Sequence, residues 1–139
     1  MKYHRRESQF VVRIDPGEEV MASLEQFARE CNVNAGYFSA LGTARDVEIG
    51  FFEAARKDYL RRRFEEDLEI INLTGNIAML DSKPFIHCHA VFGRKDLSAI
   101  AGHLFHATVM LTTEVMVSQI AGRIDRQFNP EVGLNLMVL

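Results

Sequence analysis

His87 and His89 flank Cys88 in the run Pro84-Phe85-Ile86-His87-Cys88-His89-Ala90-Val91-Phe92, an apolar, aromatic and β-branched stretch with proline at its entrance. That composition predicts a strand. Alternate residues of a strand share a face, so His87 and His89 stand side by side while Cys88 points the other way. A third imidazole comes fourteen positions after His89, in Ala101-Gly102-His103-Leu104, just ahead of another apolar run. Two neutral imidazoles from one strand and one from a neighbour suit a three-histidine metal site with an open fourth position. The competing account is a set of core or interface histidines, hydrogen-bonded and chemically idle, because His-x-His is short enough to arise by chance.

Other reactive side chains are weighed against that cluster. Cys88 is expected on the opposite strand face as a buried thiol rather than a thiolate ligand. His106 follows His103 by three residues, which on a strand turns it to the other face and leaves it out of the ligand set. Glu114 lies among Thr112, Thr113, Val115 and Val117, where a carboxylate needs a reason. A general base at the metal or a partner to one of its imidazoles would supply one, and Glu114 is the candidate catalytic residue. An exposed edge position or an ion pair across a subunit boundary is the competing account. Arg61-Arg62-Arg63 is followed by Glu65-Glu66-Asp67, whose charge cancels the far field of the basic run beyond about 8 Å.

The elements that must position these groups belong to one domain. The 139 residues are 47% hydrophobic, enough to bury a core. A net charge of −3 offers no general attraction to nucleic acid or to an anionic membrane. Cys31 and Cys88 form no motif together, which fits a reducing cytoplasm. The basic N-terminus lacks an apolar segment of signal-peptide length behind it, and no run approaches the roughly 20 apolar residues of a membrane span. A cytoplasmic protein is expected.

Phe10 to Ile14 reads as a short strand closed by the turn residues Asp15-Pro16-Gly17. Val20, Leu24, Phe27, Ala28 and Cys31 then fall at helical spacing, which predicts an amphipathic helix over Glu18–Cys31. Beyond it the pattern is β. Strands are predicted over Tyr37–Ala44, with a bulge at Gly42, over Val47–Phe52 and over Asp58–Phe64. Leu68–Leu80 follows, with Leu68, Ile70, Asn72 and Thr74 on one face and a bend at Gly75-Asn76. Asp81-Ser82-Lys83-Pro84 is the turn into the histidine strand. Leu104–Leu111 and Glu114–Ile120 complete the apolar segments. One helix on a strongly twisted, mostly antiparallel sheet is an α+β domain.

Four segments in order carry a family resemblance: Leu68-Glu69-Ile70-Ile71-Asn72-Leu73-Thr74-Gly75-Asn76-Ile77, Lys83-Pro84-Phe85-Ile86-His87-Cys88-His89, Ala101-Gly102-His103-Leu104 and Thr113-Glu114-Val115. Together with the tail Asn129-Pro130-Glu131-Val132-Gly133-Leu134, they resemble the plant-and-prokaryote-conserved domain over essentially the whole chain. The resemblance implies a homotrimer and a metal unit made by His87, His89 and His103, with zinc the first expectation and other divalent transition metals able to substitute. It also implies a fold similar to half of acetolactate decarboxylase, a three-histidine zinc enzyme. Plant members carry this domain behind AT-hook segments, and no Arg-Gly-Arg-Pro hook is present here. Three functions are weighed as expectations, and a direct nucleic-acid binder is the one that the missing hook and the net charge of −3 weaken. Of the remaining two, one is a trimeric metal-binding module for assembly or regulation, with DNA association weak or through a protein partner. The other is a metal-dependent, lyase-like enzyme taking a small keto or hydroxy acid, with a small carboxylate as its ligand.

Overall fold

Two-residue turns and bulges, more than strand propensity, decide how this chain pairs with itself. The computed structural model describes residues 1–139. Its strands are β1 (Lys2–Arg6), β2 (Gln9–Ile14), β3 (Gly36–Glu53), β4 (Asp58–Phe64), β5 (Leu68–Leu80), β6 (Lys83–Gly93), β7 (Ala99–Gln119), β8 (Arg126–Asn129) and β9 (Leu134–Met137), with one helix, α1 (Val20–Glu30), between β2 and β3. Seven strands form one sheet in the order β1-β2-β7-β6-β5-β3-β4, and β3 also pairs with β7. The ladders β3–β7, β7–β6, β6–β5 and β5–β3 therefore close into a ring, and every one of them is antiparallel. This is the α+β architecture expected from the sequence. No helix is long and apolar enough to cross a membrane.

Inside the ring, residues at period two meet side chains from α1. Leu24 and Phe27 of the helix are fully buried with Phe38, Leu73, Phe92 and Leu104, and Cys88 joins the same core. The Glu19 carboxylate caps α1 by accepting from the backbone N–H groups of Met21 at 3.0 Å and Ala22 at 2.6 Å, so the helix starts after the acidic pair rather than on it. Glu18 instead receives the N-terminal ammonium and the Asp15 N–H.

Three sequence expectations change. The runs Tyr37–Ala44 and Val47–Phe52 are one strand, β3, and the two apolar segments after His103 are one strand, β7. Both stay continuous because they pair with each other through successive register shifts. The alternation within Leu68–Thr74 also inverts. Leu68 and Ile70 are buried, but so is Leu73, while Asn72 and Thr74 face out. A register shift between Ile70 and Asn72 adds one residue there, and each later side chain changes face. The basic N-terminus, assigned to no element from the sequence, forms strand β1, wholly exposed and paired to β2 as the sheet edge. Lysine and arginine on an edge strand discourage pairing with other chains.

Candidate metal centre

The turn between β5 and β6 sets the position of the first two histidines. Asp81 and Ser82 have φ of 49° and 62°, the left-handed pair that a tight two-residue hairpin needs. With Leu80 opposite Lys83, the register places His87 across from Asn76 and His89 across from Thr74. On its other edge β6 meets β7, and there His89 lies opposite His103. One hairpin and one long-range ladder thus gather the three imidazoles. Their ligand-competent atoms lie within 4.8 Å of one another, and no Cys, Asp or Glu belongs to the group.

The donor set fits a metal. Two nitrogens on a tetrahedral ion with bonds of about 2.0 Å stand roughly 3.3 Å apart. The Nε2 atoms of His87 and His89 are separated by 3.2 Å, a distance that a hydrogen bond between the rings would also satisfy. His103 Nδ1 is buried and has no hydrogen-bond partner. Buried polar atoms nearly always have one, so this orphan accords with a ring whose missing partner is a cation. Burial lowers the pKa of His87, helped by the nearby charge of Arg126 and by His89. Burial also pushes His103 down to about 4, with contributions from His87, His89 and Arg61. Both rings are neutral at pH 7 and offer a lone pair, the form a metal takes.

Aromatic side chains fence the cluster. The Tyr59 ring of β4 lies 4.9 Å from His103 and the Phe105 ring of β7 lies 4.7 Å from it. The Arg61 guanidinium covers Phe105 at 3.7 Å while bonding Glu48. Two hollows flank the histidines. One of about 340 Å³ is bordered by Tyr37, Thr74, Asn76, His87 and His89. The other, about 250 Å³, reaches His87 and His103 between Tyr59, Phe105 and the C-terminal hairpin β8–β9. A larger hollow, about 540 Å³, lies beside the Arg94–Glu66 ion pair and includes none of the histidines.

The remaining candidates are dispersed. Cys88 is fully buried on the opposite face, and burial pushes its thiol up to about 12, so it carries no thiolate. His106 stays out of the cluster: its ring sits 3.5 Å from the Asp46 carboxylate and 3.8 Å from that of Glu19. Glu114 is not brought to the histidines. It lies toward the far end of β7, opposite Arg13 and Leu41, in a separate hollow bordered by Ser39, Asn72 and Met116. A general base for this cluster is therefore not furnished by Glu114 of the same chain, because strand alternation gives a side chain its face and not its distance from a site. Sequence reasoning missed Tyr59, Asn76 and Arg126. A lone tyrosine, asparagine or arginine has no spacing signal, and each reaches the site only through pairing.

Similar proteins share this arrangement of elements. A metal-containing protein from Archaeoglobus fulgidus is 34% identical and superimposes with a TM-score of 0.90 over 99% of this chain and 97% of that one. A candidate DNA-binding protein from Bacteroides thetaiotaomicron is 33% identical with a TM-score of 0.95, over 99% of this chain and 96% of that one. Acetolactate decarboxylase from Bacillus subtilis is 17% identical with a TM-score of 0.53, covering 84% of this chain and 54% of the enzyme, a likeness of fold alone. Among curated proteins, the bifunctional protein GlmU of Synechococcus is 28% identical over 127 residues, which are 89% of this chain but span only 19% of that protein. The family match runs over residues 1–121, through all three histidines and the complete seven-stranded sheet, and on it this chain belongs to the family of the Plants and Prokaryotes Conserved (PCC) domain.

Proposed function

We propose that this chain is a homotrimeric metal-binding module with an assembly or regulatory role, in which His87, His89 and His103 hold one divalent transition metal. The observation that carries the reading is the convergence of three imidazole nitrogens within 4.8 Å without a fourth protein ligand. Zinc is the first choice, since three histidines with one open position are a familiar zinc environment, although imidazole also suits copper, iron and nickel. The metal would act as a Lewis acid on an oxygen ligand at the open position. The protein's own part is to hold the rings neutral by burial and to exclude water with Tyr59 and Phe105. Elemental analysis of protein purified without chelator should find close to one divalent metal per chain. A metal-free preparation that takes up no zinc would overturn the reading.

Assembly rests on a separate observation. Tyr37 and Leu41 of β3, Met116 of β7 and Val11 of β2 are exposed large apolar residues, with Val11 opposite Met116 and Leu41 beside them in register. A cluster of exposed apolar side chains of this kind favours burial against another copy. Light scattering at micromolar concentration should give three chains per particle. Leu41→Asp combined with Met116→Asp should shift the protein toward monomer, because each buried carboxylate would be desolvated without a partner. A doubly substituted protein that remains trimeric would place the interface elsewhere.

Direct DNA binding finds little support. Arg61 and Arg63 are paired with Glu48 and Asp46, so two of the three arginines in the basic run on β4 are neutralised from β3. We therefore assign any DNA association to a partner. The second reading, a metal-dependent lyase-like enzyme, is favoured by the hollow of about 250 Å³ against His87 and His103. Its base cannot be Glu114 of the same chain; in a trimer, a neighbouring copy would have to carry that carboxylate to the histidines.

A further inference from the structure

The C-terminal hairpin forms one wall of that hollow. Leu134, Asn135 and Leu136 of β9 and Arg126 of β8 face it opposite His87 and His103, and all four lie beyond residue 121, where the family match ends. The hairpin is tied down rather than loose. The Met79 N–H donates to the Ile124 carbonyl at 2.8 Å, Met79 bridges Asp125, and Lys57 Nζ donates to the Pro130 carbonyl at 2.7 Å.

Arg126 is the unusual residue in it. Its guanidinium is half-buried, and burial lowers its pKa. Nη1 donates to the Asn135 carbonyl at 2.7 Å and Nη2 to Asn76 Oδ1 at 2.8 Å, both neutral acceptors. Its Nε is buried without any partner. The group lies 5.0 Å from the centre of the Phe85 ring and near enough to His87 to depress that ring's pKa. Elsewhere in the chain Arg13, Arg45, Arg56, Arg61, Arg63, Arg94 and Arg123 each meet a carboxylate, and the arginines that do not, Arg5, Arg6, Arg29 and Arg62, are exposed to solvent. Arg126 meets none, and no Asp or Glu lines the hollow. A partly desolvated cation without a counter-charge, bordering an open hollow, is well placed to take up an anion.

We propose that Arg126 is the carboxylate-binding residue of this hollow and that the β8–β9 hairpin selects small organic acids as ligands of the three-histidine site. This rests on the reading of that site as a metal-centred ligand site. A planar guanidinium suits a carboxylate through paired N–H donors. The apolar walls, Tyr59, Phe85, Phe105, Leu134 and Leu136, suit a short hydrocarbon part, and about 250 Å³ leaves room for a small organic acid.

Lactate and pyruvate are the probes, with lactamide as the neutral isostere. Calorimetric titrations of zinc-loaded and of chelator-stripped protein, with zinc content measured on each sample, separate the guanidinium from the metal. The expected result is binding of lactate or pyruvate, at least tenfold weaker binding of lactamide, and at least tenfold weaker acid binding by Arg126→Gln with zinc content unchanged. Arg126→Lys should recover part of the loss, since the charge returns without the fork. Should Arg126→Gln fail to fold, the isosteric Asn76→Asp turns the side-chain oxygen that already accepts from Nη2 into an internal counter-charge and should weaken acid binding by a similar factor. Arg126→Gln or, in its place, Asn76→Asp binding the acids as tightly as the unaltered chain would overturn the proposal. So would equal affinity for lactate and lactamide, or no binding of either acid to the unaltered chain. If the unaltered chain holds no zinc, the metal reading fails on its own, and an Arg126-dependent preference for lactate over lactamide in that protein still upholds the role of Arg126.

Discussion

Replacing His87 or His89 by alanine should leave the purified protein with far less than one metal per chain, while Cys88→Ser keeps its full complement. Zinc binding by a protein site is worth roughly 10–16 kcal/mol, so loss of one of three ligands should cost on the order of 3 kcal/mol, more than a hundredfold in affinity. The contrast with Cys88 is informative because it lies between the two ligands in sequence. Its thiol points into the core, where burial keeps it protonated. Stability offers a second measurement. A ligand that binds only the folded chain stabilises it by about 2.7 kcal/mol at a hundred times its Kd, so chelator should lower the Tm of the unaltered protein and leave that of His87→Ala nearly unmoved. A Cys88→Ser protein that loses metal would show that the two faces of β6 are not separated as described.

The second large effect is expected far from any titratable group, at Gly75. This residue pairs with Cys88 of β6 and with Phe38 of β3 in the middle of the ring. A Cβ there would lie 2.2 Å from the His87 carbonyl oxygen and 2.6 Å from Phe38 Cζ. The Phe38 side chain is itself fully buried, so neither neighbour can withdraw cheaply. Gly75→Ala should destabilise the protein by about 3 kcal/mol, a fall in Tm of roughly 10 °C for a domain of this size. Because the backbone that must move carries His87, zinc affinity should fall as well. Gly17→Ala is the control. Gly17 has φ of +82° and no atom within 4 Å of the added Cβ, so it should cost only about 1–2 kcal/mol of backbone strain and leave zinc affinity intact. Thermal melts and zinc titrations of the two variants at equal protein concentration provide the comparison. Equal losses of stability with unchanged zinc binding in both would mean that β5 does not hold β6 in place.

Local periodicity was enough to read the pair His87 and His89 on one strand face, the inward Cys88, the amphipathic helix, the turn at Asp81-Ser82 and the predominantly antiparallel α+β class. Each depends on residues close in sequence, where the two-residue repeat of a strand or the 3.6-residue repeat of a helix has few competitors. His103 could be nominated from its place ahead of a neighbouring apolar run and His106 set aside by strand alternation, but what brings His103 into the cluster is the ladder that sets it opposite His89. Register between distant strands is decided by which faces bury together and by bulges, and one extra residue at Ile70–Asn72 was enough to invert the alternation read from the sequence. The same cause separates Glu114 from the histidines, since a candidate base can satisfy every local criterion and still lie on another stretch of a long strand. Arg126 was invisible for the opposite reason. It belongs to no motif, and only the return of the C-terminal hairpin against β5, through Asn76 and Met79, brings its charge to the histidines.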